Sequence, residues 1–133
     1  IQRMKNFSFE ILSAKNIQTN FHFDYQFQEQ IAGLDIRKNV LLFFKEAINN
    51  IAKYSQATEV IVSLTEMNNH FTLIIKDNGI GFNQDTITQG NGLTSLRARS
   101  KAIRGNFKID SEPGKGTYLE LVFIDLLMEA GKE

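Results

Sequence analysis

The sequence predicts a two-layer α/β sandwich, and three observations carry that prediction. Amphipathic helical stretches are interspersed with strand-like runs in the order α-β-α-β-β-loop-α-β-β. Most neighbouring strands are separated by short turn signals and so read as hairpins. This argues against a doubly wound parallel sheet, whose strands need crossover helices. The 133 residues, 42% of them hydrophobic, suit one domain with its own core, and no internal repeat or low-complexity segment divides them.

The elements follow in order. Residues 1–15 place Met4, Phe7, Ile11 and Leu12 at helical spacing, with Asn16 as the stop. Residues 18–27 (QTNFHFDYQF) alternate, with Phe21, Phe23, Tyr25 and Phe27 on one side and Asn20, His22 and Asp24 on the other. They read as a half-buried strand. After the polar connection QEQIAG, Asp35 is a plausible N-cap for a helix from Ile36 to about Ser55. On that helix Val40, Phe44, Ala47, Ile48 and Ile51 form an apolar stripe. Leu42 and Phe43 fall near its polar side, with nothing in the sequence to say what covers them.

EVIVSLTEM (59–67) and FTLIIKD (71–77) read as strands joined through the turn Asn68-Asn69-His70. Residues 78–92 form a loop rich in Gly, Asn, Asp and Thr. Leu93 to Ile103 is a helix that Arg104-Gly105-Asn106 ends, and NFKIDSE and GTYLELVFI are two more strands around the turn PGKG. The tail from residue 125 to 133 is a short helix or an irregular end.

Composition excludes several functions. Fifteen basic and 15 acidic residues give a net charge of +0, so no global field attracts nucleic acid, and any anion site must be local. With no cysteine there is no disulfide, thiolate metal site or cysteine nucleophile. His22 on a polar strand side and His70 in a turn do not have zinc-site spacing. No apolar run has the length of a membrane span. The chain opens without Met in what reads as mid-helix, and we expect it to be a piece of a longer protein.

Four segments carry chemistry. Glu46, Asn50 and Lys53 stand at i, i+4 and i+7 on one ridge. A carboxylate, an amide and an ammonium in a row either hold a metal–phosphate group or form an ordinary solvated face. Asp77-Asn78-Gly79-Ile80-Gly81-Phe82 follows a buried strand. It is either a plain turn, or a site where the acceptor-only carboxylate of Asp77 reads an exocyclic amine and the glycines admit a planar base. Gly90-Asn91-Gly92-Leu93 opens a helix, whose free N–H groups favour phosphate, and Gly114-Lys115-Gly116-Thr117 is a tight turn into a strand. None of these fits the GxGxxG or P-loop pattern. Their order after an E-x-x-x-N-x-x-K helix is a far more specific joint signal than any one of them.

On these motifs the chain resembles the ATP-binding catalytic domain of bacterial sensor histidine kinases, within the group that includes DNA gyrase B, Hsp90 and MutL. Residues 46–55 match the N box, 77–82 the G1 box, 90–93 the G2 box and 114–117 the last box. The short loop from Phe82 to Gln89 and the KEAxxNxxKxS form of the N box look most like the kinases paired with helix-turn-helix response regulators. Tyr54 stands where that class often has His.

The resemblance implies one domain over residues 1–133 with the Bergerat fold, a mixed sheet covered on one face by helices. It implies that ATP and Mg²⁺ bind beside the N-box helix. Asn50 would coordinate Mg²⁺, Glu46 would act as acid/base or orient water, and Lys53 would meet phosphate. Tyr54 would lie at the ribose or phosphate, and Asp77 would bind the adenine amine, with Thr117 assisting through water. Gly79, Ile80 and Gly81 would shape the base pocket, and Gly90, Gly92 and Leu93 would meet the phosphates. The implied reaction is transfer of the γ-phosphoryl group to a histidine on a separate helical dimerisation domain, and from there signalling to a response regulator. The implied setting is the cytoplasmic part of a membrane-anchored kinase, with the isolated domain monomeric and free of nucleic acid. A serine kinase of anti-sigma-factor type and a non-catalytic nucleotide-binding module are the alternatives.

Overall fold

The computed structural model describes residues 2–24, 33–83 and 93–124. Its elements are α1 (Gln2–Ser13), β1 (Gln18–Phe23), α2 (Leu34–Asn50), a π-helical turn (Ile51–Ser55), β2 (Glu59–Met67), β3 (His70–Asp77), α3 (Leu93–Ala102), β4 (Asn106–Ser111) and β5 (Thr117–Ile124). The strands form one sheet in the order β1-β2-β3-β5-β4. β1 runs parallel to β2 and the other neighbours are antiparallel, so the sheet is mixed.

Strand alternation sets the core. Val60, Val62, Leu64, Phe71, Leu73, Ile75, Leu119, Leu121 and Phe123 are all buried on one face of the sheet. Helix residues including Leu12, Val40, Phe44, Ile48 and Leu96 complete the same cluster. Phe71 and Phe123 are register partners with rings stacked at 5.2 Å, which ties the two central strands together. The two-layer α/β sandwich expected from the sequence is what forms.

Several boundaries differ from expectation for local reasons. α2 begins after Gly33, whose backbone is extended and which offers no side-chain cap. Asp35 is therefore not the cap but lies in the first turn, where its charge suits the positive end of the helix dipole. His70 is the first residue of β3 and not part of the turn. Asn68 and Asn69 alone make the hairpin at φ 54° and 67°, the left-handed pair that matches strand twist. Asn16 ends α1 in the left-handed region at φ 58°. β1 is described to Phe23, and Tyr25, Phe27 and the QEQIAG connection lie outside the described residues, as does the tail from 125.

α2 is the central helix of its layer, and this explains Phe43. Placed by periodicity near the polar side, it is 0% exposed and meets Phe107 of β4 edge-on at 5.5 Å. The helix has α1 on one flank and α3 on the other, so its buried arc is wider than a single stripe. Leu42 is half-buried.

Candidate functional site

A cleft of about 240 Å³ opens between the C-terminal half of α2, the π-helical turn, the start of α3 and the ends of β3 and β5. Its walls are mostly apolar, with Ala47, Ile51, Ile75, Leu96, Ile109 and Leu119 among them. Its polar groups are few: Asn50, Tyr54, Ser55, Asp77 and Thr117. This is the pattern of a small-molecule site, a hydrophobic slot with sparse polar groups that fix orientation.

Asp77 sits at the floor. It ends β3, is 4% exposed, and has Thr117 as its register partner on β5. Burial pushes its carboxyl above the ordinary value near 3.8. Backbone N–H groups of Gly79, at 2.8 Å from Oδ1, and of Thr117 hydrogen-bond to it and pull the value partly back. A buried carboxylate held this way remains an acceptor aimed into an apolar slot.

The row continues to Ser111, the register partner of Thr117 on β4. Its Oγ donates to the Gly116 carbonyl at 3.0 Å, accepts the Phe82 N–H at 3.0 Å, and lies 2.9 Å from Thr117 Oγ1. Sequence reasoning placed Ser111 in a strand but gave it no role, because strand register decides which residues share a row.

The π-helical turn positions the other wall. Ser55 Oγ donates back to the Ile51 carbonyl at 2.7 Å and accepts the Ala57 N–H at 3.0 Å, so a side chain competes with the helical ladder. Gln56 then leaves the helix at φ 53°. The expected helix to Ser55 thus ends its regular α geometry at Asn50. Beyond Asn50 the widened turn no longer keeps 3.6 spacing, and the ridge drawn from Glu46 through Asn50 to Lys53 is broken. Asn50 and Tyr54 line the cleft, whereas Lys53 is exposed and is not among the lining residues. Glu46 is half-buried one turn before Asn50, also outside the lining. Tyr54 is 60% exposed at the mouth.

The glycines of the second motif serve the protein's own backbone. A Cβ at Gly79 would stand 2.1 Å from the Ser55 carbonyl oxygen, and the neighbouring Ile80 N–H donates to that same oxygen at 2.7 Å. Gly81 has φ +64°, and a Cβ there would stand 2.1 Å from the Glu112 carbonyl oxygen. The Ile80 carbonyl accepts the Gly114 N–H at 2.6 Å. Motifs that the sequence spaces far apart therefore interlock. Close approach on this side of the two glycines is of backbone to backbone. Gly79, Ile80 and Gly81 frame Asp77 without lining the cleft. Asn78 is a tie as well: its Oδ1 accepts the N–H groups of Thr58 and Glu59 at 2.9 and 3.0 Å.

Leu93 lines the cleft at the start of α3, while Gly90 and Gly92 lie outside the described residues. No group of three or more His, Cys, Asp or Glu converges among the described residues. None of the described helices is long and apolar enough to cross a membrane.

A sandwich with an apolar cleft between one layer of helices and the end of a mixed sheet, and an acceptor at its floor, has the build of a ligand-binding domain. The particular family follows from comparison: residues 36–127 match the histidine kinase-, DNA gyrase B-, and HSP90-like ATPase family, and the chain belongs to it. These domains bind ATP. The chain is 34% identical over 86 residues to the sensor histidine kinase ComP of Bacillus subtilis (strain 168), covering 62% of this chain and 11% of ComP. It is 29% identical over 102 residues to the nitrate/nitrite sensor protein NarX of Escherichia coli (strain K12), covering 76% of this chain and 17% of NarX. It thus spans less than a fifth of the length of either relative. The fold matches the histidine kinase domain of the Erythrobacter litoralis EL346 blue-light activated histidine kinase with a TM-score of 0.75 at 12% identity, over 96% of this chain and 61% of that one. The resemblance to sensor histidine kinase catalytic domains drawn from the motifs therefore holds.

Proposed function

We propose that this chain binds Mg-ATP in the cleft and donates the γ-phosphoryl group to a histidine on a separate helical dimerisation domain of a sensor kinase. The observation that carries the reading is Asp77, a buried acceptor at the floor of an apolar slot that the N-box residue Asn50 also lines. A volume of about 240 Å³ suits the base rather than the whole nucleotide. The adenine amine donates to Asp77, the ring lies among Ile51, Ile75 and Leu119, and the sugar and phosphates extend past Tyr54 toward the N-terminus of α3. The first N–H groups of a helix lack intrahelical partners and, with the helix dipole, favour phosphate.

The residues fit a magnesium ion. The Asn50 amide lines the cleft and makes no hydrogen bond among the described residues, so its oxygen is available. Mg²⁺ takes one or two protein oxygens and completes its shell with phosphate and water. Asn50 would hold it, and the ion would supply charge neutralisation on the phosphates. Lys53, at the rim, adds a mobile positive charge. Transfer breaks the bond from the γ-phosphorus to the bridging oxygen, forms a phosphorus–nitrogen bond to the imidazole, and releases ADP. Glu46, half-buried and one turn before Asn50, is the carboxylate on hand to take the imidazole proton or to hold a water that does. The phosphorylated histidine would then supply a response regulator. This assigns the chain to the cytoplasmic part of its parent kinase, where ATP is found.

Calorimetric titration of the chain with ATP, with and without Mg²⁺, tests the reading. Binding that tightens with Mg²⁺ is expected. An absence of heat at millimolar ATP would remove the nucleotide reading altogether.

A further inference from the structure

We propose that the groove between α3 and β4 is a docking site for an acidic helical segment of a protein partner, held by Arg97, Lys101 and Arg104. The groove lies beside the ATP cleft, and the inference does not rest on the nucleotide reading.

The groove has a volume of about 580 Å³. Arg97 and Lys101 line it from α3 and Arg104 from just beyond the helix end, with Phe107 and Ile109 of β4 on the other side. No acidic residue is among the described residues that line it. The three cations make no ion pair among the described residues. On β4, Lys108 and Asp110 alternate away from Phe107 and do not line the groove. A chain of net charge +0 thus has a local excess of three positive charges along one groove.

Two of the cations are held in place. The Arg97 guanidinium stands 5.8 Å from the centre of the Phe107 ring, whose other neighbour is Phe43. Arg104 follows the helix in the left-handed region at φ 55°. The helix closes there by two bonds: the Gly105 N–H donates to the Ser100 carbonyl at 2.8 Å and the Arg104 N–H to the Lys101 carbonyl at 3.0 Å. Glycine is the residue at ease in that position, and a side chain there costs stability. Cations at a helix C-terminus do suit the dipole. A helix end built for stability alone would nevertheless place glycine where Arg104 stands.

The spacing selects the occupant. Arg97 and Lys101 are one helical turn apart, and the row to Arg104 runs about 10 Å at the helical rise. A single phosphate is too compact to meet all three. Carboxylates at i, i+4 and i+7 on a partner helix repeat at the same interval, and apolar side chains beside them meet Phe107 and Ile109.

The test uses an amphipathic helical peptide with Glu at i, i+4 and i+7 beside leucines, and the same peptide with Gln for Glu. Binding to the chain is followed by amide chemical shifts at low salt. The Glu peptide is expected to give saturable shifts over residues 97–107 that weaken as salt is raised. The Gln peptide is expected to bind on the order of tenfold more weakly. Lys101→Gln and Arg104→Gly are each expected to weaken the Glu peptide about two- to fivefold, the scale of an exposed ion pair. Arg104→Gly should do so with a melting temperature no lower than wild type.

No saturable shift, shifts confined to other residues, or equal binding of the two peptides would overturn the proposal. So would wild-type peptide affinity in both variants, with only the melting temperature lowered, which is the mark of a helix-end role. Inorganic phosphate or a single-stranded oligonucleotide that shifts the same amides at lower concentration than the Glu peptide would also overturn it. If Arg104→Gly does not fold, Lys101→Gln decides alone.

Discussion

The floor and the rim of the cleft are built differently. At the floor, Asp77, Thr117, Ser111 and Ser55 hydrogen-bond within the protein, and Gly79 and Gly81 let backbones meet at distances no Cβ permits. At the rim, the side chains of Glu46, Asn50, Lys53 and Tyr54 make no hydrogen bond or ion pair among the described residues. The floor is preorganised, so its geometry exists before any ligand arrives and its cost is met by folding. The rim is adaptable, and its groups are free for phosphate, metal or a partner. Substitutions at the floor should therefore damage stability or base selection, and those at the rim should touch metal and phosphate terms alone.

The largest effect is expected for Gly79→Ala. The added methyl meets the Ser55 carbonyl at 2.1 Å, and backbone must move to admit it. Overpacking of this kind costs about 1–3 kcal/mol or more. Urea unfolding should show a lower midpoint, and an unchanged midpoint would mean that the interlock does not constrain the floor.

Next is Asp77→Asn. Loss of the charged acceptor should weaken ATP by about 1–3 kcal/mol, about fivefold to 150-fold, in calorimetry. A pH dependence accompanies it. The folded chain holds the Asp77 proton above the ordinary value near 3.8, because burial disfavours the carboxylate. As pH falls through that raised value, the acceptor is lost and ATP affinity should drop, earlier than an ordinary carboxylate allows. The stability contribution has the opposite sign. Between 3.8 and the raised value the native state binds more proton than the unfolded state, so this group's contribution falls as pH rises through that window. Asp77→Asn should flatten both profiles.

Asn50→Ala should remove the tightening of ATP binding by Mg²⁺ while leaving the Mg²⁺-free affinity and the melting temperature nearly unchanged. Persistent Mg²⁺ dependence would move the metal elsewhere. Lys53→Ala is the smallest: an exposed side chain with no partner among the described residues should alter stability within about 0.5 kcal/mol. Its effect on ATP should shrink as salt is raised, because charge at an exposed rim is screened.

What was legible beforehand depended on distance along the chain. β2 was readable to the residue because β-branched alternation is local, and the αL end of α1 at Asn16 was readable because Asn tolerates positive φ. The motif residues Asn50, Tyr54, Asp77, Leu93 and Thr117 were also named before the fold was known, and all of them line the cleft. Other features needed packing. Phe43 lies off the periodic stripe, and only a helix flanked on both sides buries it. The π-helical turn, which takes Lys53 out of line with Asn50, follows from Ser55 bonding back to Ile51 and out to Ile80, a contact across 25 positions that no local rule supplies.

By itself, the sequence determined the sandwich, the order of its elements and the motif set that marks the ATPase family, because periodicity and turn chemistry act over a few residues. Tertiary structure alone decided that Asp77, Thr117 and Ser111 form one row and that the glycines serve backbone contact. The reason is physical: strand register and close backbone approach are properties of pairs far apart in the chain. A serine in one strand acquires its meaning from the strand laid beside it.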